Sequence, residues 1–152
     1  MANWARRARK ALAGELAPGE EVVAAALLQP DGKMGATVAR ATGGAIGAAL
    51  HRRTVSADHP TADSGLAASL GDTVFYGVLT QHRFLVMGQA AVSGRPAGMR
   101  AVLRRADIVA FDVKKEPLAD RVVITFADGT QRRLEAPGRA ARGLTDALFP
   151  RR

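Results

Sequence analysis

The 152-residue sequence contains no cysteine and only seven aromatic residues. The absence of cysteine excludes disulfide scaffolds, thiolate zinc sites, iron–sulfur clusters and cysteine nucleophiles. The aromatic residues do not alternate with basic residues along any strand, as a surface that stacks nucleic-acid bases would require. The first ten residues also lack the continuous apolar stretch of a signal peptide, so we expect a cytoplasmic protein.

What the sequence does contain is hydrophobic side chains and an excess of positive charge. Hydrophobic residues make up 47% of the chain, which is enough for a folded core and argues against wholesale disorder. Lysine and arginine number 22 against 14 acidic residues, and most of the net charge of +8 lies after residue 76. Most of the basic residues are arginine, and a genome biased toward GC-rich codons would produce this excess of arginine without any selection for function. The charge is therefore weak support for an anionic partner, and we do not expect nucleic acid to be that partner.

Residues 1–17 are predicted to form an amphipathic helix that a Pro-Gly pair ends. Trp4, Leu12 and Leu16 would share its apolar side, opposite a cluster of four cations. The cations are Arg6, Arg7, Arg9 and Lys10. This arrangement fits an anionic membrane surface, with the indole in the interface and the cations at the headgroups. The other interpretation is that the same apolar side packs on the domain's own sheet.

A glycine-rich insertion follows the first predicted strand, within residues 31–65. Small residues recur at every fourth position, which would place them on one face of a helix over residues 34–50. They are Gly35, Ala39, Gly43 and Gly47. Because small side chains permit close approach, this face fits either self-association or packing of the inserted helix on its own domain. The run is short and carries Arg40, so it is not predicted to span a membrane.

The rest of the chain shows seven candidate strands followed by one helix. The strands cover residues 20–28, 73–80, 83–87, 99–103, 108–113, 121–126 and 130–135. Asp128-Gly129 between the last two is a strong hairpin signal, because a primed turn needs positive φ at both central positions. The closing helix is predicted to extend through Phe149, with a packing stripe at Ala141, Leu144 and Leu148. A sheet of short antiparallel strands must hide its apolar face, so we predict a mainly β domain over residues 18–149, curled into a barrel that the final helix plugs.

Three segments resemble the bacterial pleckstrin-homology-like domains, a family that includes GRAM-like modules. The stretch Tyr76–Met87 resembles their hairpin of a strand, Thr-x-x-Arg and an apolar strand, and 106–111 and 125–130 resemble their later strand boundaries. The resemblance covers roughly residues 20–28 and 73–149. It implies a seven-stranded bent barrel capped by a C-terminal helix, acting in binding or assembly, often at membranes or in homo-oligomers, without catalytic machinery. The long insertion over residues 31–65 departs from the family pattern. It occupies the connection between the first two strands, which members of the family often use for binding.

A second candidate site for anions comprises Arg95, Arg100, Arg104 and Arg105, with Lys114 and Lys115. At the mouth of the predicted barrel, the planar guanidinium groups of Arg104 and Arg105 would match phosphate oxygens. Consecutive residues of a strand face opposite sides, so both point the same way only across a loop or bulge. The alternative is a scattered rim of solvated arginines.

We therefore expect a non-enzymatic binding or assembly module, cytoplasmic and peripheral to the membrane. No catalytic residue, cofactor or metal site is predicted, because the histidines and serines lack the spacing of ligand or nucleophile motifs. The expected partners are an anionic membrane surface, a protein or a second copy of the chain. A small-ligand carrier or enzyme using the barrel interior is an alternative that a filled barrel disfavours. Nucleic-acid binding through the Arg-rich second half is a further alternative, marked by steep salt dependence.

Overall fold

Seven antiparallel strands form the framework of the protein in the computed structural model, which describes residues 3–31, 65–137 and 139–151. The strands are β1 (Val22–Pro30), β2 (Phe75–Thr80), β3 (Arg83–Gln89), β4 (Pro96–Arg104), β5 (Ile108–Lys114), β6 (Asp120–Phe126) and β7 (Gln131–Ala136). The helices are α1 (Trp4–Ala11), α2 (Gly65–Ala68) and α3 (Ala140–Leu148), with a 3-10 turn at Arg105–Asp107. The predicted mainly β fold, with seven antiparallel strands and a C-terminal helix, is confirmed.

The strand order is β4-β3-β2-β1-β7-β6-β5, so β1 lies at the centre and belongs to both halves of the sheet. Most of β1 pairs with β2, while its last residues, Gln29 and Pro30, pair with Glu135 and Leu134 of β7. The two ends of the order, β4 and β5, are joined by the 3-10 turn.

The main hydrophobic core takes side chains from all seven strands. Phe75, Phe84 and Phe126 are fully or almost fully buried in it. A single cluster can collect residues from every strand only if the sheet curls around one concave face. The helix α3 adds Ala141, Leu144 and Leu148, which matches the packing stripe expected of a closing helix.

A second hydrophobic cluster lies on the opposite face of the β1–β4 half of the sheet, under α1. Ala8 of α1 and Leu12, which caps its C-terminus, are fully buried there, against Tyr76, Val78 and Leu85 of the strands. The whole of β2 is consequently buried on both faces. The apolar side of the N-terminal helix therefore packs on the domain's own sheet, which is the second of its two interpretations.

The predicted element boundaries depart furthest from the structure at the N-terminal helix and between β3 and β4. The regular helix ends at Ala11 rather than residue 17, and the backbone continues in turns through residue 16. Residues 89–98, which lie between two predicted strands and contain Gly94, Pro96 and Gly98, read as a loop in the sequence, but they hold the end of β3 and the start of β4. The strand continues through Gly98 because that residue takes a φ of 59° and the register with β3 shifts beside it, which is the behaviour of a β-bulge.

The Thr-x-x-Arg hairpin that carries the family resemblance has a structural explanation in an ion pair between Arg83 and a buried carboxylate. The Thr80 hydroxyl accepts from the backbone N–H of Arg83 (3.0 Å) and donates to Glu20 (2.7 Å). Two guanidinium nitrogens of Arg83 donate to the two oxygens of the same carboxylate, at 2.9 and 2.6 Å. The Glu20 side chain is only 3% exposed and that of Arg83 is 32% exposed, so the turn and the segment before β1 are tied together by a charge-assisted contact to a buried carboxylate.

The β6–β7 hairpin also holds the short helix α2. The Asp128 carboxylate accepts from the backbone N–H of Leu66 (2.8 Å), and the Thr130 hydroxyl accepts from that of Ala67 (3.1 Å). These hydrogen bonds satisfy N–H groups that a helix start leaves without partners. The Thr130 hydroxyl and the backbone N–H groups of Leu66 and Thr130 all donate to the Asp128 carboxylate, and these hydrogen bonds hold the pKa of Asp128 below its usual range.

Gly77 in β2 is placed where the core leaves no room for a side chain. A Cβ atom there would lie 2.8 Å from Phe84 Cζ and 3.0 Å from Leu28 Cδ1, both in fully buried side chains. We expect Gly77→Ala to destabilise the protein by about 1–2 kcal/mol in urea unfolding, because overpacking outweighs the gain in backbone entropy. The matched control is Gly143→Ala in α3, where nothing lies within 4 Å; it should stabilise by up to about 1 kcal/mol. Stabilisation by both changes would contradict the packing at Gly77.

The predicted self-association residues Gly35, Ala39, Gly43 and Gly47, and the helix over 34–50, lie outside the described residues, so that prediction stays open. Among residues 3–31, 65–137 and 139–151, none of the helices has the length and hydropathy that a membrane span requires.

Candidate functional site

A cleft of about 490 Å³ lies between the outer side of α1 and the turn that leads into β4. We call it the basic cleft. It is lined by Asn3, Arg6, Arg7, Lys10, Ala11, Arg95 and Pro96. Four of these residues are cationic, and no carboxylate is among the described residues that line the cleft. The excess of positive charge in so small a volume makes the basic cleft the strongest candidate site for an anion.

The α1 wall of the cleft follows from how the helix docks. Because Ala8 and Leu12 face the sheet, the cations at positions 6, 7 and 10 are turned outward. The Asn3 side chain caps the helix by accepting from the backbone N–H of Arg6 at 2.9 Å. The first turn contains no acidic residue, although the positive end of the helix dipole favours one. The start of the helix therefore adds to the positive potential of the cleft rather than offsetting it.

A pair of aromatic residues supports this wall. The half-buried Trp4 ring meets the fully buried Tyr76 ring edge to face, with centroids 5.7 Å apart. The Arg7 guanidinium carbon lies 5.4 Å from the centroid of the Trp4 ring, within the range of a cation–π contact. Arg7 is thus held beside the cleft by a ring that is itself fixed on the sheet.

The opposite wall is the β3–β4 turn, and the same tyrosine anchors it. The Tyr76 hydroxyl donates to the carbonyl oxygen of Gly94, which also accepts from Gln89 Nε2 at 3.2 Å. The turn is closed by backbone hydrogen bonds, among them Ala90 N–H to the Arg95 carbonyl oxygen at 2.9 Å. Gly94 has a φ of 64°, a conformation that favours glycine. These contacts fix the backbone from which the exposed Arg95 side chain extends.

Only part of the predicted cation set meets in the cleft. Arg6, Arg7 and Lys10 line it together with Arg95, whereas Arg9 is directed to β1, where it donates to the Val22 carbonyl oxygen at 3.1 Å. Arg9 therefore helps to dock α1.

Arg104 and Arg105 both have partners within the chain. Arg104 forms an ion pair with Asp107 at 2.7 Å, and this hydrogen bond holds the pKa of the carboxyl below its usual range. Arg105 donates to the carbonyl oxygens of Ala147 and Leu148 at the end of α3, where a helix favours a cation. The two arginines thus fasten the turn between β4 and β5, and neither lines the basic cleft.

Arg95 completes the site, although sequence reasoning did not place it with α1. A partial signal for it lies in the strands. The stretches 75–79 and 84–87 carry no charged residue and are almost entirely apolar, which indicates a sheet covered on both faces. The amphipathic N-terminal segment is the natural second cover of that sheet, but the pattern does not say which turn its outward cations approach.

A second, more open cleft of about 870 Å³ lies between β5 and α3. Its charged residues are Asp112, Lys115, Arg142, Asp146 and Arg151. The acidic and basic groups there largely offset one another, so this cleft has less attraction for an anion than the basic cleft.

The described residues hold no group of three or more His, Asp or Glu arranged for a metal ion. Comparison of the chain with models of protein families, with curated proteins and with solved structures finds no significant match.

Proposed function

We propose that this chain is a non-enzymatic, pleckstrin-homology-like binding module that attaches peripherally to anionic membranes through the basic cleft and the surrounding face of α1. The observation that carries the proposal is the meeting of Arg6, Arg7, Lys10 and Arg95 around one cleft without a described carboxylate.

The fold supports the first half of the proposal. The strand order, with β1 shared between two half-sheets and a helix after β7, is the arrangement expected of a bent barrel closed by its C-terminal helix. Large buried side chains from every strand fill the concave face. The two clefts described above lie outside this core, which favours a binding surface over chemistry or ligand transport in the interior.

The state of α1 supports a particular mode of membrane attachment. Leu12 is fully buried and Trp4 packs on Tyr76, so the apolar side of the helix is already occupied. Attachment then depends on cations at the anionic surface, where each Lys or Arg contributes about 1 kcal/mol. Binding of this kind weakens steeply as salt is added.

Sedimentation with vesicles tests the proposal. The protein should bind vesicles of phosphatidylcholine that contain phosphatidylglycerol, and should not bind vesicles of phosphatidylcholine alone. The triple variant Arg6→Gln, Arg7→Gln, Lys10→Gln should bind the anionic vesicles roughly a hundredfold more weakly, since three surface charges are removed.

The matched control removes the same charge elsewhere. Lys114→Gln, Lys115→Gln, Arg139→Gln changes three exposed cations far from the basic cleft in sequence and outside its lining. This variant should keep most of the binding. Equal losses in the two triple variants would show that net charge alone acts, and tighter binding to a DNA oligonucleotide than to anionic vesicles would favour the nucleic-acid alternative.

A further inference from the structure

We infer that the basic cleft is a preorganised site for a single phosphate monoester group, and that Tyr76 is the positioning residue for both of its walls. The inference rests on the proposed function, because it names the chemical group that the same surface selects. It goes beyond that function in distinguishing a defined pocket from a diffuse positive surface.

The charges of the cleft match a monoester better than a diester. A phosphate monoester carries about −1.5 to −2 charges at neutral pH and presents three acceptor oxygens, whereas a phosphodiester carries a single negative charge. Three arginines and one lysine line the cleft. Arginine binds phosphate through two parallel N–H donors, and lysine adds a compact charge. Four cations without a described carboxylate suit a multiply charged group.

The positioning role follows from the contacts of Tyr76 at its two ends. Its ring packs against Trp4, on which the Arg7 guanidinium lies. Its hydroxyl donates to the carbonyl oxygen of Gly94, directly before Arg95. Tyr76 itself is fully buried in β2 and paired on both sides, with Leu27 of β1 and Met87 of β3. One rigid side chain thus sets the separation between an arginine of α1 and an arginine of the turn.

The cleft also has room for more than a bare phosphate ion. A volume of about 490 Å³ falls within the roughly 300–1,000 Å³ of small-molecule sites. The phosphate is therefore expected to be carried on a small polar group. Two sources supply that chemistry: a soluble phosphorylated polyol, or a lipid whose headgroup ends in a monoester.

The two sources are tested with glycerol 3-phosphate in solution and with phosphatidic acid in vesicles. Titration calorimetry measures the first. Sedimentation measures the second, against phosphatidylglycerol vesicles adjusted to the same surface potential. We expect the phosphatidic acid vesicles to be bound about tenfold more tightly, the difference made by a bidentate, charge-assisted contact. Binding of glycerol 3-phosphate shows that the soluble group suffices, and binding of phosphatidic acid alone assigns the site to lipid.

Tyr76→Phe separates positioning from packing. Phenylalanine keeps the ring against Trp4 and removes only the hydroxyl that holds Gly94. The preference for monoester over diester vesicles should fall to about twofold or less, while binding to phosphatidylglycerol vesicles and the Trp4 fluorescence stay unchanged. A residue that only stabilised the fold would change both kinds of binding together and leave the preference intact.

Arg95→Gln provides a second variant, because the Arg95 side chain is exposed and lies outside both hydrophobic clusters. It should lose the monoester preference, while Arg139→Gln, with the same change of charge, should retain it. Equal affinity of the wild type for the two charge-matched vesicles, together with no heat from glycerol 3-phosphate, would overturn the inference and leave membrane attachment standing. Glycerol 3-phosphate binding without binding to any vesicle would instead overturn the membrane proposal alone.

Discussion

Replacing Arg83 with methionine is expected to lower the free energy of unfolding by about 3–4 kcal/mol, because it leaves the buried Glu20 carboxylate without its cation. The carboxylate is 3% exposed and accepts from two nitrogens of Arg83, at 2.9 and 2.6 Å. The Thr80 hydroxyl and the Ala17 backbone N–H would remain as its donors, and they carry no full charge. Urea unfolding at neutral pH measures the loss.

The double variant Glu20→Gln, Arg83→Met is the control. Glutamine keeps the shape of Glu20 and removes the charge that Arg83→Met leaves without a partner. We therefore expect the double variant to recover more than half of the free energy of unfolding that Arg83→Met loses. A double variant no more stable than Arg83→Met would contradict the ion pair as the source of the effect.

The same ion pair predicts how the loss depends on pH. The hydrogen bonds from Arg83 lower the pKa of Glu20 from its ordinary 4.5 to about 2. A carboxyl group with a lowered pKa stabilises the folded state fully above its unfolded pKa, and this contribution disappears as the pH falls from 4.5 to about 2. The stability difference between wild type and Arg83→Met should therefore shrink across that interval. A difference that stays constant down to pH 2 would contradict the lowered pKa.

Local signals in the sequence were sufficient for most of the framework. The hairpin predicted at Asp128-Gly129 joins β6 and β7, but the primed turn expected of that pair is wrong. Gly129 has a φ of 83°, whereas no described residue other than glycine, Asp128 included, has a positive φ. The pair Gln81-His82 separates β2 from β3. Both hairpins could be predicted because the turn residues and the apolar runs beside them are neighbours in the chain. The closing helix could be predicted for the same reason, from its own stripe at Ala141, Leu144 and Leu148.

The basic cleft could be predicted only in part, because its walls are distant in sequence. The cations of α1 were evident from helical periodicity, but their proximity to Arg95 depends on which face of the sheet α1 covers. The opposite error occurs at the start of β4. Residues 96–98 read as part of a loop, yet they belong to the strand because Gly98 forms a bulge within it. Arg104 and Arg105 were grouped by sequence adjacency, whereas each binds a different partner in the fold.

Docking of α1 is therefore the step on which the candidate site depends. The helix has eight residues, too few to be stable alone in water. Its contacts with the sheet come from a small set of side chains, of which Leu12 is the largest that is fully buried. Loss of those contacts would separate Arg6, Arg7 and Lys10 from Arg95 without changing any charge.

Leu12→Ala tests this dependence, and we expect it to cost about 3 kcal/mol, as is usual for a fully buried leucine. The chain has a single tryptophan, so Trp4 emission reports directly on docking and should shift to the red as the ring leaves Tyr76. Leu118→Ala is the matched control, because Leu118 is 66% exposed and its truncation should stay within about 0.5 kcal/mol. The variant keeps every cation, so binding to phosphatidylglycerol vesicles should persist while the monoester preference is lost. A preference that survives the red shift would mean that α1 and the β3–β4 turn do not act as one site.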